Sequence, residues 1–169
     1  FGGITGLGVG MTQASSTSGN DGYGVGCTVP GQWDFTSATN LQLLVVVDGT
    51  DSVLIDNVVQ VIDFADLEGD VATTEDIVSE INTQITSGTL LGGFYAVGGG
   101  HTTGPTIDGV ALDLSGHPLK DSDNVTLCTL HHGADARLLI KSESTAFESF
   151  DFDGVTAFGE SPDGVTGDA

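Results

Sequence analysis

The stretch "VATTEDIVSEINTQITSG", residues 71–88, has the pattern of an amphipathic helix. Thr73 or Thr74 offers an N-cap oxygen, acidic residues follow in the first turn, and Gly88 marks the C-terminal end. Apolar residues recur along one side of this helix at helical spacing, namely Ile77, Val78, Ile81 and Ile85. A single narrow apolar stripe has to be covered by another element, so we expect the helix to lie against one face of a sheet.

The rest of the 169-residue chain has the composition of a β protein. Its 26 glycines supply the backbone freedom that tight turns need, and its many Val and Thr side chains suit a pleated sheet. Hydrophobic residues make up 38% of the chain, which is enough for a folded core. We therefore predict a mainly β fold of the α+β class, an antiparallel sheet or sandwich with one amphipathic helix packed on it.

Composition divides the chain into three parts. Residues 1–32 are rich in Gly, Ser and Thr and bury too little to fold alone, so we predict a Gly-rich extended N-terminal arm that lies on another surface. Residues 33–160 are expected to form one β-rich domain with a loop-rich insertion at about 89–135. Residues 161–169 are predicted to be a polar tail.

Strand patterns give more local expectations. The run "LQLLVVVDGTDSVLIDN", residues 41–57, predicts a hairpin with Asp48 and Gly49 in its turn. Residues 137–142 predict a strand in which alternate apolar side chains share one face. Within the insertion, three short runs predict strands, at 93–97, 106–114 and 124–130.

The charge balance excludes whole classes of partner. Three Lys and Arg residues stand against 24 Asp and Glu residues, which gives a net charge of −21. A phosphate backbone is held by Lys and Arg, so we predict that the chain binds neither nucleic acid nor an anionic membrane surface. No apolar run approaches the roughly 20 residues of a membrane-spanning helix. Dense carboxylate suits a salty medium, marine or hypersaline, although an acidic protein kept soluble by its charge is the alternative.

Two cysteines, Cys27 and Cys128, leave two interpretations open. A disulfide between them would close a loop of about 100 residues and contribute on the order of 4 to 5 kcal/mol. Alternatively, both are small buried hydrophobic residues, which we favour because no other sign of a disulfide framework is present.

The run "CTLHHG" raises the question of a metal site. If residues 124–132 form one strand, Cys128 and His132 share a face and His131 lies on the other. The remaining ligands would have to come from Cys27, His101 or His117. The paired ligand spacing of a zinc site is missing, so we predict no zinc there.

Hard oxygen ligands in turns make calcium the metal that the sequence favours. The candidate ligands lie in the runs "DGTD", "KDSDN" and "DFDG", namely Asp48, Asp51, Asp121, Asp123, Asp151 and Asp153. None of these runs is an EF-hand loop, and solvated turn carboxylates are the alternative interpretation. For catalysis we find no G-x-S-x-G elbow and no convergent acid and base pair, so we predict no catalytic residue and no enzyme activity.

Three segments together resemble a known module. A strand ending in "VVVDG" is followed by "ATTEDIVSEINTQI" and later by "ARLLIKSESTAFESFDFDG". This order is similar to the β-β-α-β-β module of the flagellin and hook-associated "IN" motif, related forms of which occur in structural proteins of tailed bacteriophages and archaeal tailed viruses. The resemblance covers about residues 41–88 and 136–159. The matching residues are Ile77, Glu80, Ile81 and Asn82 in the helix, and Leu138, Leu139, Ile140, Lys141 and Ser142 in the later strand.

The resemblance implies a non-enzymatic structural subunit of a virus particle, as a capsid decoration or a tail or baseplate component. Its partners would be identical subunits and other virion proteins, and its location the virion. No cofactor is expected apart from a possible calcium ion. The alternative is an extracellular fibre or adhesin subunit in which residues 1–32 donate a strand to a neighbour. An enzyme acting on polysaccharide is a third reading.

Overall fold

The computed structural model describes residues 13–18, 29–48, 58–132, 136–141 and 156–158. The fold is mainly β with one helix packed against antiparallel sheets, as the sequence predicts. The elements are β1 Gln13–Thr17, β2 Gln32–Asp34, β3 Gln42–Asp48, β4 Val59–Asp63, a 3-10 turn Ala65–Leu67, β5 Val71–Thr73, α1 Thr74–Thr86, β6 Phe94–Val97, β7 Thr103–Ile107, β8 Val110–Asp113, β9 Thr126–His132, β10 Arg137–Ile140 and β11 Thr156–Phe158.

Two sheets and two ribbons organise these strands. A four-stranded antiparallel sheet has the order β11-β10-β3-β4, and a three-stranded sheet has the order β1-β9-β6. The pairs β2–β5 and β7–β8 form two-stranded ribbons. Strands β3 and β4, which precede α1, therefore share one sheet with β10 and β11, which follow it. No helix in the described ranges is long and apolar enough to cross a membrane.

The β3–β4 pairing corrects the predicted hairpin. Val46 lies opposite Val59, so the described hairpin partner of β3 is β4 and not the run that directly follows "DGTD". The predicted turn residue Asp48 is the last residue of β3, and its Cα pairs with that of Arg137. Gly49 and the run 50–57 lie outside the described residues. Pairing with β10 keeps Asp48 in the strand, although Asp-Gly favours a turn.

Helix α1 begins directly after Thr73, one of the two predicted N-cap residues, and residues 71–73 pair with β2 as strand β5. The Thr73 side chain accepts a hydrogen bond from the Asp76 N–H at 3.2 Å, and the Asp76 carboxylate accepts one from the Thr73 N–H at 2.8 Å. This reciprocal capping box satisfies two N–H groups at the helix start. The C-cap is Ser87, and Gly88 follows with a φ of 80° that ends the helix.

One hydrophobic cluster joins the helix to both sheets. All four residues of the predicted stripe are buried in it, and they share it with the inner side of the four-stranded sheet, namely Leu43, Val45, Val47, Ile62, Leu138 and Ile140. The segment predicted as an insertion contributes Phe94, Ala96, Val125 and Leu127 to the same cluster. The backbone of α1 comes closest to β5, β6 and β7.

Three buried side-chain amides fasten these elements together. Each amide accepts a hydrogen bond from the N–H of one residue and donates one to the C=O of the same residue, as a neighbouring strand would. The pairs are Gln60 with Gly92, Asn82 with Ala96, and Gln84 with Asp63. Each pairing satisfies two backbone groups that would otherwise be costly to bury.

The predicted strand at 106–114 is a hairpin instead. Strands β7 and β8 pair with Ile107 opposite Val110, and the two residues between them have positive φ, 51° at Asp108 and 81° at Gly109. Asp-Gly is the residue pair that a two-residue type I′ turn favours. The Asp-Gly pair is visible in the sequence, but the apolar residues on both sides of it favoured one continuous strand.

Candidate functional site

A cleft of about 420 Å³ lies at the N-terminal end of α1. Two of the predicted calcium ligands, Asp121 and Asp123, line it together with Glu75 in the first turn of the helix. Gly31 and Gly99 form part of its walls. Glu75 is not among the ligands predicted from the sequence, because nothing local links the first turn of a helix to a loop more than forty residues away.

The other predicted calcium ligands are not brought to this cleft by any described contact. Asp48 ends β3, in the four-stranded sheet. The remaining three, Asp51, Asp151 and Asp153, lie outside the described residues. Among the described residues, no group of three or more His, Cys, Asp or Glu side chains is close enough to hold a metal ion. Calcium binding at Asp121 and Asp123 stays a prediction.

A glycine turn holds the cleft in shape. The N–H groups of Gly99 and Gly100 donate to the carbonyls of Ser122 and Lys120 at 2.8 and 2.7 Å. Gly99 has a φ of 65°, and a Cβ at this position would lie 2.4 Å from the backbone nitrogen of Glu75. Only glycine allows so close an approach of the turn to the helix. The turn therefore fixes the acidic loop against the start of α1.

The electrostatics of the cleft are mixed. The N-terminus of α1 carries the positive end of the helix dipole, and the Asp76 carboxylate of the capping box already occupies part of that field. Asp121 forms an ion pair with Lys120, and the carbonyl of Asp123 accepts a hydrogen bond from the Thr74 hydroxyl. These contacts explain how the two aspartates are positioned.

The cysteine and histidines of "CTLHHG" are separated by burial. Cys128 is a buried free thiol on β9, His131 is half-buried, and His132 is exposed at the strand end. Burial raises the pKa of the Cys128 thiol to about 12, so the thiol stays protonated and unreactive. This agrees with the interpretation of Cys128 as a small buried hydrophobic residue. Its possible partner Cys27 lies outside the described residues.

A series of hydrogen bonds links His117, Tyr95, Gln13 and Thr129 beside the buried cluster that contains Cys128. The Tyr95 hydroxyl contacts the Nε2 atom of His117 at 3.2 Å and donates to the Oε1 atom of Gln13 at 3.0 Å. Gln13 then donates through its Nε2 atom to the Thr129 carbonyl at 2.7 Å. On the other side, the Leu119 N–H donates to the Nδ1 atom of His117 at 3.2 Å. These hydrogen bonds connect β1 to β6, β9 and the loop after β8.

The hydrogen bonds in this series have one consistent donor-to-acceptor direction, which fixes the tautomer of His117. Because Nδ1 accepts from Leu119, the proton of the neutral ring sits on Nε2 and is donated to Tyr95. Protonating the ring would put a hydrogen on Nδ1 and break the bond to Leu119. Burial also lowers the pKa of His117. Both effects favour the neutral imidazole. From the sequence, His117 is a candidate only as a metal ligand, because its partner Tyr95 lies 22 residues away.

A second surface feature is an apolar sheet face. Side chains alternate along the strands, so residues opposite the buried inner side point outward. We call this the outer face, and it comprises Leu44, Val46, Val59, Val61 and Leu139. Val59 and Val61 are 42% and 41% exposed, Leu44 and Leu139 are half-buried, and Val46 is buried at 8%. The described strands β3, β4 and β10 thus carry apolar side chains at the centre of this side as well.

Comparison with protein-family models, curated proteins and solved structures returned no match.

Proposed function

We propose that this chain is a non-enzymatic structural subunit of a virus particle, a capsid decoration or a tail or baseplate component, that assembles with copies of itself and with other virion proteins. The observation that supports it is the sheet order β11-β10-β3-β4. Two strands before α1 and two at the end of the chain lie side by side, which is the element order of the β-β-α-β-β module that the sequence resembles. The long segment between α1 and β10 leaves this pairing intact.

The helix supports the same proposal through Asn82, one of the residues on which the resemblance rests. Its amide accepts from the Ala96 N–H at 2.9 Å and donates to the Ala96 carbonyl at 3.0 Å. Asn82 therefore joins α1 to the strand β6, which belongs to the other sheet. A rigid link of this kind suits a subunit that has to keep its shape under the forces of an assembly.

The charge of the chain fits exposure to a salty medium. With a net charge of −21, copies repel one another at low ionic strength. Screening shortens that repulsion to within about 10 Å at 0.1 M salt and to about 3 Å at 1 M. Assembly of such a subunit should therefore strengthen as salt is raised.

A second candidate function rests on β1. This strand forms one edge of the three-stranded sheet and pairs with β9, more than one hundred residues away along the chain. The hydroxyls of Thr17 and Thr126 lie 2.9 Å apart across the pair. The same strand supplied by a neighbouring copy would make identical contacts, as an extracellular fibre or adhesin built by strand donation requires.

Two measurements test these functions. Mass photometry and negative-stain microscopy at low and high salt should show discrete oligomers that grow with salt; monomers at every concentration and salt would contradict an assembly subunit. Replacing Thr17 and Thr126 together by cysteine then separates the two candidates. A disulfide formed within one chain leaves a monomer on a non-reducing denaturing gel, whereas strand donation between copies gives a ladder of covalent multimers.

A further inference from the structure

We propose that residues 114–122, which we call the strap, form an acid-sensitive latch. Neutral His117 holds the strap closed over the buried cluster that contains Tyr95 and Cys128, and protonation of the His117 ring opens it. Opening uncovers the Cys128 thiol and loosens the side of the cleft that Asp121 lines. The inference stands apart from the proposed function, because it concerns a motion within one copy of the chain.

The strap is fastened at both ends. Its first residue, Leu114, is 2% exposed and packs in the same small cluster as Cys128. The Leu114 N–H donates to the Thr102 carbonyl at 2.9 Å, and the Ser122 carbonyl accepts from the Gly99 N–H at 2.8 Å. Every strap residue after Leu114 is half-buried or exposed. A segment with one buried side chain and solvent-exposed hydrogen bonds opens at a lower free energy than the core does.

His117 fastens the middle of the strap. Its ring packs edge-on against that of Tyr95, with centroids 5.9 Å apart, and its Nε2 atom lies 3.2 Å from the Tyr95 hydroxyl. Its Nδ1 atom accepts from the Leu119 N–H at 3.2 Å. The main chain of His117 also bonds to Leu114 and Lys120. One side chain therefore connects the strap to β6 and at the same time shapes the turn within the strap.

Protonation removes this fastening. The Leu119 N–H needs an acceptor, but a protonated Nδ1 atom is a donor, so two N–H groups would face each other in the closed strap. In the open strap the charged ring is solvated by water, and the Leu119 N–H can bond to water as well. The open form therefore binds the proton more tightly than the closed form, and acid shifts the equilibrium toward it.

The groups beneath the strap do not supply a charge that would offset this effect. The titratable groups of the cluster are Tyr95 on β6 and Cys128 on β9, and burial raises the pKa of both, so both stay neutral near pH ~7 and below. On β1 the nearest side chain of the hydrogen-bonded series is Gln13, whose amide does not titrate. In the described part of the chain, the protonated ring thus gains no anionic partner from the three strands.

The charged groups around the strap have other partners. Within it, Lys120 pairs with Asp121. On β8 the Asp113 carboxylate accepts from the Ser115 N–H. On the loop before β7 the titratable group is His101, which lines a groove beside α1. More distant carboxylates of this acidic chain act on the ring in both forms, so they move the pH of opening without reversing its direction.

Linkage gives the sign and the size of the effect. In the open strap His117 has an ordinary pKa of about 6.5, and in the closed strap burial lowers its pKa. The closed strap is therefore fully stable above pH ~6.5 and loses stability as pH falls. The equilibrium constant for opening rises by up to about tenfold for each pH unit below ~6.5, until the pKa of the closed form is reached. Between about pH 7.5 and about pH 5 we expect a rise of at least about threefold.

The test is hydrogen exchange of the full chain, followed by mass spectrometry at about pH 5 and about pH 7.5, with exchange times scaled to the intrinsic rates at each pH. The variant is His117→Asn, because an Asn side-chain oxygen accepts from the N–H two residues on, as in an Asx-turn, and does not titrate. The matched control is His101→Gln, which removes a titrating ring from the neighbouring loop. Peptides from α1, residues 74–86, report on the rest of the fold.

In the parent and in His101→Gln, corrected exchange of the strap should rise at least about threefold at the lower pH, while α1 stays unchanged. In His117→Asn it should be the same at both pH values. The inference is overturned if the parent strap does not respond, if His117→Asn responds as the parent does, or if His101→Gln abolishes the response. It is equally overturned if α1 accelerates as much as the strap, since the whole fold would then be loosening.

A second measurement needs no change at His117. Cys27→Ser leaves Cys128 as the single thiol, and its labelling by dithiodipyridine can be followed at both pH values. Dividing each rate by that of the urea-unfolded chain at the same pH removes the intrinsic reactivity of the thiol and the reagent. This ratio should also rise at least about threefold on acidification. A constant ratio would overturn the inference even if His117→Asn failed to fold.

Discussion

Replacing Asn82 by leucine should destabilise the fold by about 3 to 5 kcal/mol. Asn82 is 4% exposed, and its amide makes both hydrogen bonds to Ala96. A net hydrogen bond is worth about 1 kcal/mol, and each buried group left without a partner costs about 1 to 3 kcal/mol. Leucine has a similar volume, so the loss comes from the unpaired N–H and C=O of Ala96 and not from a cavity.

Asn82→Asp separates hydrogen bonding from packing. An ionised carboxylate still accepts from the Ala96 N–H but faces the Ala96 carbonyl with negative charge, whereas a protonated carboxyl can accept and donate as the amide does. The folded state therefore raises the pKa of the introduced carboxyl above its unfolded value of about 3.9. A raised pKa means that the stability of the variant relative to the parent is greatest below pH ~4 and is lost as pH rises through the folded pKa.

Urea unfolding of the parent and both variants, measured at matched pH values between about 4 and 7, gives the differences in unfolding free energy. The control is Thr83→Ala, a change at the neighbouring exposed position of α1, which should cost less than about 0.5 kcal/mol. The reasoning is refuted if Asn82→Leu lies within about 1 kcal/mol of the parent, or if the deficit of Asn82→Asp is the same at every pH.

Three further predictions concern the hydrogen bonds of His117 and the cleft at the start of α1. Burial lowers the pKa of His117 in the folded state, so the neutral ring contributes stability above pH ~6.5 that is lost as pH falls. The melting temperature of the parent should therefore fall more on acidification than that of His117→Gln. Parallel pH profiles of the two melting temperatures would contradict this. Gly100→Ala should lower the free energy of unfolding by about 1 kcal/mol, because Gly100 has a positive φ. Gly99→Ala should lower it clearly more, because Gly99 has a positive φ and is also crowded by backbone atoms. Equal melting temperatures of the two variants would refute the close packing. Calcium should raise the melting temperature of the parent but not of the double variant Asp121→Asn with Asp123→Asn, and a parent indifferent to calcium and chelator ends that prediction.

Features whose physics is local could be predicted from the sequence. The stripe of α1 and its start at Thr73 follow from a 3.6-residue period and from a hydroxyl placed three residues before a carboxylate, and both involve neighbours within one or two turns. The alternation in β10 was equally readable. A local signal misled at Asp48, which was predicted in a turn and is the last residue of β3, where it pairs with Arg137 of β10.

Only part of the candidate site could be predicted from the sequence. Asp121 and Asp123 were identified from their turn, but their position beside Glu75 depends on Gly99 packing against the helix backbone. The hydrogen-bond chain through His117 depends on β1, β6 and β9 lying in one sheet. No window of sequence contains such partners, because they meet only after long loops have closed and a strand register has been chosen.

Sequence alone therefore determined that the chain is β-rich and acidic and that one helix must bury a single stripe, since period, capping and composition act within a few residues. Tertiary structure decided that β10 lies beside β3, that Asn82 meets Ala96, and that two valines of β4 stay exposed. These outcomes depend on which of several compatible strand pairings buries the most apolar surface while leaving no backbone group unpaired, and that is a property of the whole chain.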